Sequence, residues 1–162
     1  MIGLIYKENA AAQTGWKATE KIWGPIDFLS EVRPFDYTHY YEDEMGRPLF
    51  RRWASFKALV PQDCLPEIKW QAVELEKQWL ISDKRQLNID PGLITPERMV
   101  LATGKNYSHR IYLGKGIFGD LTLIFFKGSY RPLPWTYPDY RDEQAIWAFN
   151  KIRERYLKEV SK

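Results

Sequence analysis

Cysteine and histidine are scarce in this chain: one Cys (Cys64) and two His (His39 and His109) in 162 residues. A lone cysteine excludes an internal disulfide and a cysteine-rich zinc site. It fits a reducing compartment, so a cytoplasmic protein is expected. Any metal site would be mainly carboxylate, which suits Mg²⁺ or Mn²⁺. No apolar run approaches the ~18–20 residues of a membrane span. Met1–Tyr6 is too short for a signal peptide and has no basic start, so it reads as a strand. Net charge is also small. The 24 basic and 21 acidic residues leave +3, too little to argue for nucleic acid alone.

The aromatic content is high: seven Trp, ten Tyr and eight Phe make 15% of the chain. These rings either fill the core or line a pocket, a partner surface or a stacking platform. The excess also accommodates a homodimer, with a helix face or a sheet edge as its seam. The length suits a single domain over residues 1–162.

Hydrophobic patterning gives the order of elements. Gly3–Tyr6 is a short buried strand. Ala12, Trp16, Thr19 and Trp23 recur at helical spacing, and Gly24-Pro25 ends that helix. Ile26–Val32 and Leu49–Leu59 are strands, with Arg52 on the apolar side of the second, where it either has an acidic partner inside the fold or lies where the strand meets solvent. The loop between them carries Glu42-Asp43-Glu44 beside His39 and reads as a solvated acidic loop or a cation holder. Asp63 is a helix cap, and Ile68, Ala72, Leu75 and Trp79 form the inner stripe of the helix that follows. Glu67, Lys69, Glu74, Glu76 and Lys77 fall on its wet side. Arg85–Ile89 is a fourth strand, closed by the turn signature Asp90-Pro91-Gly92.

Thr95-Pro96-Glu97 carries the start signals of a short helix ending at Gly104. A hairpin follows, His109–Leu113 and Ile117–Phe126 around Gly114-Lys115-Gly116. Tyr130–Leu133 adds an edge strand. A last helix runs from about Arg141 to Lys158, capped by Asp139 or Asp142. The expected class is therefore α+β. A ferredoxin-like, split βαβ unit occupies the N-terminal half, extended by a C-terminal hairpin and helix on one mixed sheet.

Four motifs occur together: Phe35-Asp36-Tyr37-Thr38-His39-Tyr40-Tyr41, Asn88-Ile89-Asp90-Pro91-Gly92, His109-Arg110-Ile111-Tyr112-Leu113 and Thr136-Tyr137-Pro138-Asp139-Tyr140. In this the chain resembles a family of prokaryotic conserved hypothetical proteins catalogued only as a domain of unknown function. The resemblance runs over nearly the whole chain. It implies a small stand-alone cytoplasmic protein and brings no activity, substrate or assigned catalytic residue.

The candidate site residues lie between Lys84 and Tyr140. Asp90, beside Asn88 on one strand face, is either a general base or cation holder, or an acid bonding its own turn. His109 opens a strand at the rim of an apolar face and can serve near neutral pH. Lys105 and Arg110 flank it as phosphate or carboxylate binders, or as solvated cations. Tyr137 and Tyr140 either grip a ligand from a ring-lined rim, or Asp139 caps a helix with Trp135 and Tyr137 packed beneath it. No G-x-G-x-x-G and no P-loop is present. The His-x-Thr or His-x-Ser pairs of two-histidine phosphoesterases are absent, since Tyr40 follows His39 and Arg110 follows His109. Cys64 has no base near it in sequence.

Three functions remain open. The leading one is a soluble module binding a small anionic ligand, such as a nucleotide, near Asp90, Lys105, His109 and Tyr137. The second is an enzyme with Asp90 and His109 as acid–base partners, with or without a divalent ion. The third is an RNA-binding sheet with exposed rings beside Arg51, Arg52 and Arg85.

Overall fold

The computed structural model describes residues 1–7 and 10–161, and of residues 10–13 the backbone alone. The side chain of Ala12 in the first helical stripe is thus outside the described part. The chain is α+β and divides into two compact units, Met1–Pro91 and Gly92–Lys162.

In the first unit β1 (Ile2–Tyr6) leads to α1 (Ala10–Trp23), β2 (Ile26–Leu29) and β3 (Arg33–Pro34). A one-turn helix α2 (Glu42–Met45) precedes β4 (Phe50–Phe56). After α3 (Leu65–Lys77), the short pair β5 (Leu80–Ile81) and β6 (Lys84–Arg85) leads into β7 (Leu87–Ile94). The strand order is β7-β1-β4-β2, with β3 also on β4. All these pairings are antiparallel. The connection through α1 carries the chain past one strand position, and β4 fills the gap between β1 and β2. No parallel pair forms among the described residues, where a mixed sheet was expected.

Central β1 is buried on both faces. Ile2, Leu4 and Tyr6 pack with Leu87, Ile89, Ala72 and Leu75, and with Trp16 and Trp23 of α1. Ile5 on the other face packs with Phe35, Met45 and Leu49. Gly15 inside α1 has a steric reason: a Cβ there would lie 2.9 Å from Leu87 Cδ2.

Several expectations need correction here. Asp63 lies in a 3₁₀ turn, Gln62–Cys64, and α3 has no side-chain cap. Glu76 is on the buried side of α3, 5% exposed. Its Oε1 accepts the Ile89 N–H at 2.6 Å, while Lys69 Nζ donates to the Ile89 carbonyl at 3.1 Å. Seven residues apart, these two side chains satisfy both backbone groups of Ile89 as a neighbouring strand would. Asp90-Pro91-Gly92 is no turn but the middle of β7. Pairing with β1 ends at Pro91 and pairing with β8 begins at Gly92. The missing proline N–H falls at the last residue paired with β1.

In the second unit the last residues of β7 pair with β8 (Arg98–Thr103), and β8 pairs with β10 (Ile117–Phe126). The first part of β10 pairs with β9 (Arg110–Gly114), its last part with β11 (Ser129–Pro132). Two helices close the unit, α4 (Pro138–Arg141) and α5 (Glu143–Val160). β8 replaces the expected short helix. Thr95 N donates to the Arg98 carbonyl at 2.9 Å, so Thr95-Pro96-Glu97-Arg98 is a tight hairpin turn. Met99 and Leu101 then alternate inward, and the two-residue period overrides the helix-start signals. Asp142 caps α5 by accepting the Gln144 N–H at 2.9 Å. Tyr140 is core, 2% exposed and stacked on Phe149, so it cannot form a ligand-gripping rim.

Candidate functional site

Asp120 organises the second unit. It is a buried acid, 3% exposed, and the one charged residue of strand β10. Arg110 is its direct cross-strand partner on β9. Arg110 Nε donates to Asp120 Oδ2 at 2.8 Å, and His109 Nε2 lies 3.2 Å from the same oxygen. Thr122 Oγ1 reaches Oδ1 at 3.3 Å. A carboxylate in low dielectric demands such company.

The remaining donors of Arg110 tie in two neighbouring loops. NH1 donates to the Lys105 carbonyl at 2.9 Å, and NH2 to the Tyr137 hydroxyl at 2.7 Å. Trp135 stacks on His109 with ring centroids 4.9 Å apart, and Tyr107 meets the imidazole edge-on at 5.4 Å. The 133–137 loop is fastened to β10. Trp135 Nε1 donates to the Leu121 carbonyl at 2.8 Å, and Thr136 Oγ1 donates to the Thr122 carbonyl. Arg141 Nε holds the Thr136 carbonyl from α4 at 3.0 Å. Side chains on a short, pinned loop keep their geometry before a ligand arrives.

His109, Arg110 and Tyr137 thus meet in one network, which Lys105 joins through its backbone carbonyl. Tyr107, Trp135 and Tyr137 still present 66%, 39% and 47% of their surface to solvent. The arrangement sets partly exposed rings beside a guanidinium and an imidazole that one buried acid fixes. Sequence reasoning missed Asp120. Its signal was the one charged residue in the middle of a ten-residue strand.

Asp90 and Asn88 belong to the first unit and a different network. Asp90 accepts from Arg51 NH1 at 3.0 Å and from Asn88 Nδ2 at 2.9 Å. Burial raises its pKa, but Arg51 and Lys69, with these hydrogen bonds, outweigh that and hold the carboxyl below its ordinary value. Arg51, 2% exposed, is therefore the arginine with the acidic partner, a half-buried Asp90. Arg52, expected in that role or at the solvent edge, is half-buried and gives its Nε to the Ser30 carbonyl at 2.6 Å. Asn88 Oδ1 accepts from Arg85 NH1 at 2.9 Å. Arg85 forks onto Glu44 through Nε at 2.6 Å and NH2 at 2.7 Å. That pairing lowers the Glu44 pKa and raises that of Arg85.

The acidic stretch Glu42–Glu44 is thus a helical turn with named partners. Glu42 pairs with Arg47 and His39, Glu44 with Arg85, and the Asp43 carbonyl accepts from Lys84. Among the described residues no three of His, Cys, Asp and Glu are grouped to hold a metal ion. Asp139, 5% exposed, lies in the first turn of α4, whose N-cap is Tyr137. No described helix is long and apolar enough to cross a membrane.

Comparison with curated proteins and with solved structures finds no match. A family model described as a domain of unknown function matches residues 1–156, across both units. The chain belongs to that family, DUF4416.

Proposed function

We propose that the protein is a binding module for a small anionic ligand, such as a nucleotide, with its site around Asp120. The observation that carries this reading is the meeting of His109, Arg110 and Tyr137 beside Trp135, with the Lys105 backbone carbonyl held by Arg110. Lys105, at an exposed position, supplies positive charge for a phosphate or carboxylate, while the charge of Arg110 is paired with Asp120 and its outer N–H groups face the Lys105 carbonyl and Tyr137. Of the five guanidinium N–H groups, three are used internally by Asp120, Lys105 and Tyr137. Open faces of Trp135 and Tyr107 supply stacking surface for a planar ring. Arg51, Arg52 and Arg85 already hold internal partners. An RNA-binding reading built on them would have to break those bonds.

The test is thermal unfolding against nucleotides, metabolite phosphates and short RNAs. A ligand at about 100 times its dissociation constant adds ~2.7 kcal/mol. In a chain this size that raises the midpoint by roughly 5 °C. A rise lost in Lys105→Ala, a change at an exposed position, supports the site. A rise indifferent to Lys105→Ala and Tyr137→Phe contradicts it.

An acid–base enzyme is the second reading, favoured by the 3.2 Å approach of His109 Nε2 to buried Asp120. A carboxylate so placed fixes the imidazole orientation and leaves Nδ1 as the working nitrogen. Asp120 then takes the part first considered for Asp90, whose carboxylate serves Arg51.

The order β7-β1-β4-β2, with helices α1 and α3 over one face, supports a ferredoxin-like reading of the first unit. The family match across both units supports treating residues 1–162 as one functional domain. The single cysteine supports a cytoplasmic location.

A further inference from the structure

Asp120 on β10 faces two nitrogen partners of different chemistry. Arg110 Nε lies 2.8 Å and His109 Nε2 3.2 Å from the same carboxylate oxygen, and none of the three side chains is more than 12% exposed. A guanidinium stays charged at every pH a folded protein meets, whereas an imidazole changes its charge between about pH 5 and 8. The trio therefore has no net charge while His109 is neutral and one positive charge when it is an imidazolium. A carboxylate oxygen only accepts, so Nε2 keeps its hydrogen in both forms and Nδ1 gains the proton.

Each element around the imidazole contributes a neighbour. Arg110 faces it from the adjoining strand β9 and Asp120 from β10. Tyr107 meets its edge from the preceding loop, with centroids 5.4 Å apart. Trp135 stacks on it from the 133–137 loop at 4.9 Å, and an indole face favours a cation over it. Asp120 is the acid among these groups, and Arg110 already holds its Oδ2. Sharing that oxygen with an imidazolium leaves the charge of Arg110 less fully compensated. The outer N–H groups of Arg110 lead to the Lys105 carbonyl and the Tyr137 hydroxyl, on residues at exposed positions. Positive charge gained on His109 thus strengthens the field where the network meets solvent.

We infer that the imidazolium form of His109 gives this buried trio its positive charge toward the anion, so that the ligand is taken up together with a proton. The inference rests on the anion-binding reading above and names what regulates that site. An anion of fixed charge binds more tightly as pH falls and His109 gains its proton, and more weakly as pH rises and the proton leaves. Linkage makes the effect reciprocal: the bound anion draws a proton onto His109 by the same factor as the proton draws in the anion.

The test titrates the full chain with sulfate and with a cyclic nucleoside monophosphate, both of constant charge over the range, from about pH 5.5 to 8.5. Dissociation constants are read from NMR shifts. The expected result is binding at least about fivefold tighter at the acid end. At a fixed pH near 7, adding either probe should also move the His109 imidazole signal toward its acid position. The chain has two histidines, and His39→Gln assigns their signals. The His39 signal, beside Glu42 and Arg47, should stay in place. His109→Gln should bind weakly with a flattened pH profile. If that variant does not fold, the imidazole signal of the wild-type chain decides. Saturable binding that is equally tight at both ends of the range, or that leaves the His109 signal unmoved, overturns the role of His109 and leaves the site itself standing. Absence of binding by both probes at every pH overturns the inference together with the anion-binding reading.

Discussion

Glu76 Oε1 accepts the amide proton of Ile89 at 2.6 Å, so a helix side chain completes the hydrogen bonding of a strand edge. Burial pushes the Glu76 pKa above its ordinary 4.5, against the opposing pull of Lys69, the Ile89 amide and Arg85. Glu76→Ala leaves a buried N–H without its acceptor and Arg85 without one of its carboxylates. The expected cost is about 2–3 kcal/mol, read from urea unfolding. Glu76→Gln keeps an acceptor oxygen and costs less.

The same group fixes a sign. Above pH 4.5 the unfolded chain releases this proton before the folded protein does. Stability contributed by this site therefore falls as pH rises from 4.5 through the raised folded value, then levels. Glu76→Gln removes that decline. Unfolding free energies of both proteins between pH 4 and 8 check it: the difference between them must change in favour of the variant as pH rises.

Asp90 has the opposite sign. Its folded pKa lies below the ordinary 3.8, so its contribution is fully present above that value. It is lost as pH falls through the folded pKa. Asp90→Asn is expected to flatten this acid limb. At neutral pH Asp90→Ala is expected to cost about 3–5 kcal/mol, because it takes a carboxylate from a buried guanidinium. Denaturant titrations from pH 2.5 to 7 measure both effects.

Gly15→Ala sets two effects against each other. A helix interior favours alanine over glycine by about 1 kcal/mol. The added Cβ would lie 2.9 Å from Leu87 Cδ2, and Leu87 is 1% exposed in the core. Overpacking of that kind costs about 1–3 kcal/mol. Overpacking is expected to win, with a net loss of about 1 kcal/mol in chemical denaturation.

Much of the element order was legible from periodicity. The inner stripe of α3 and the β9–β10 hairpin follow from apolar spacing and from Gly114-Lys115-Gly116. What periodicity cannot supply is the partner. Glu76 reads as solvent-facing because its reason for burial, the Ile89 amide, lies 13 residues away on a strand. Arg51 and Arg52 are adjacent, and only the register of β4 decides which meets Asp90. Thr95-Pro96-Glu97 carries helix signals, yet the alternation of Met99 and Leu101 prevails because their burial outweighs three local preferences. In the site, charge and ring type drew attention to Lys105, His109, Arg110 and Tyr137. Asp120, which joins His109 and Arg110, looked like one strand residue among ten.

The site's central claim is that this network receives an anion against Trp135. The most direct test follows the Trp135 indole N–H in ¹H–¹⁵N spectra of the full chain. A nucleoside monophosphate and inorganic phosphate are titrated to ~5 mM, the range of weak binding at about −4 kcal/mol or tighter. The account predicts saturable shifts at Trp135 and at the Lys105, His109 and Arg110 amides, weakened at least tenfold in Lys105→Ala. The nucleotide should bind more tightly than phosphate. Absence of saturable shifts in this network with either ligand, or saturable shifts confined to the first unit, would contradict it.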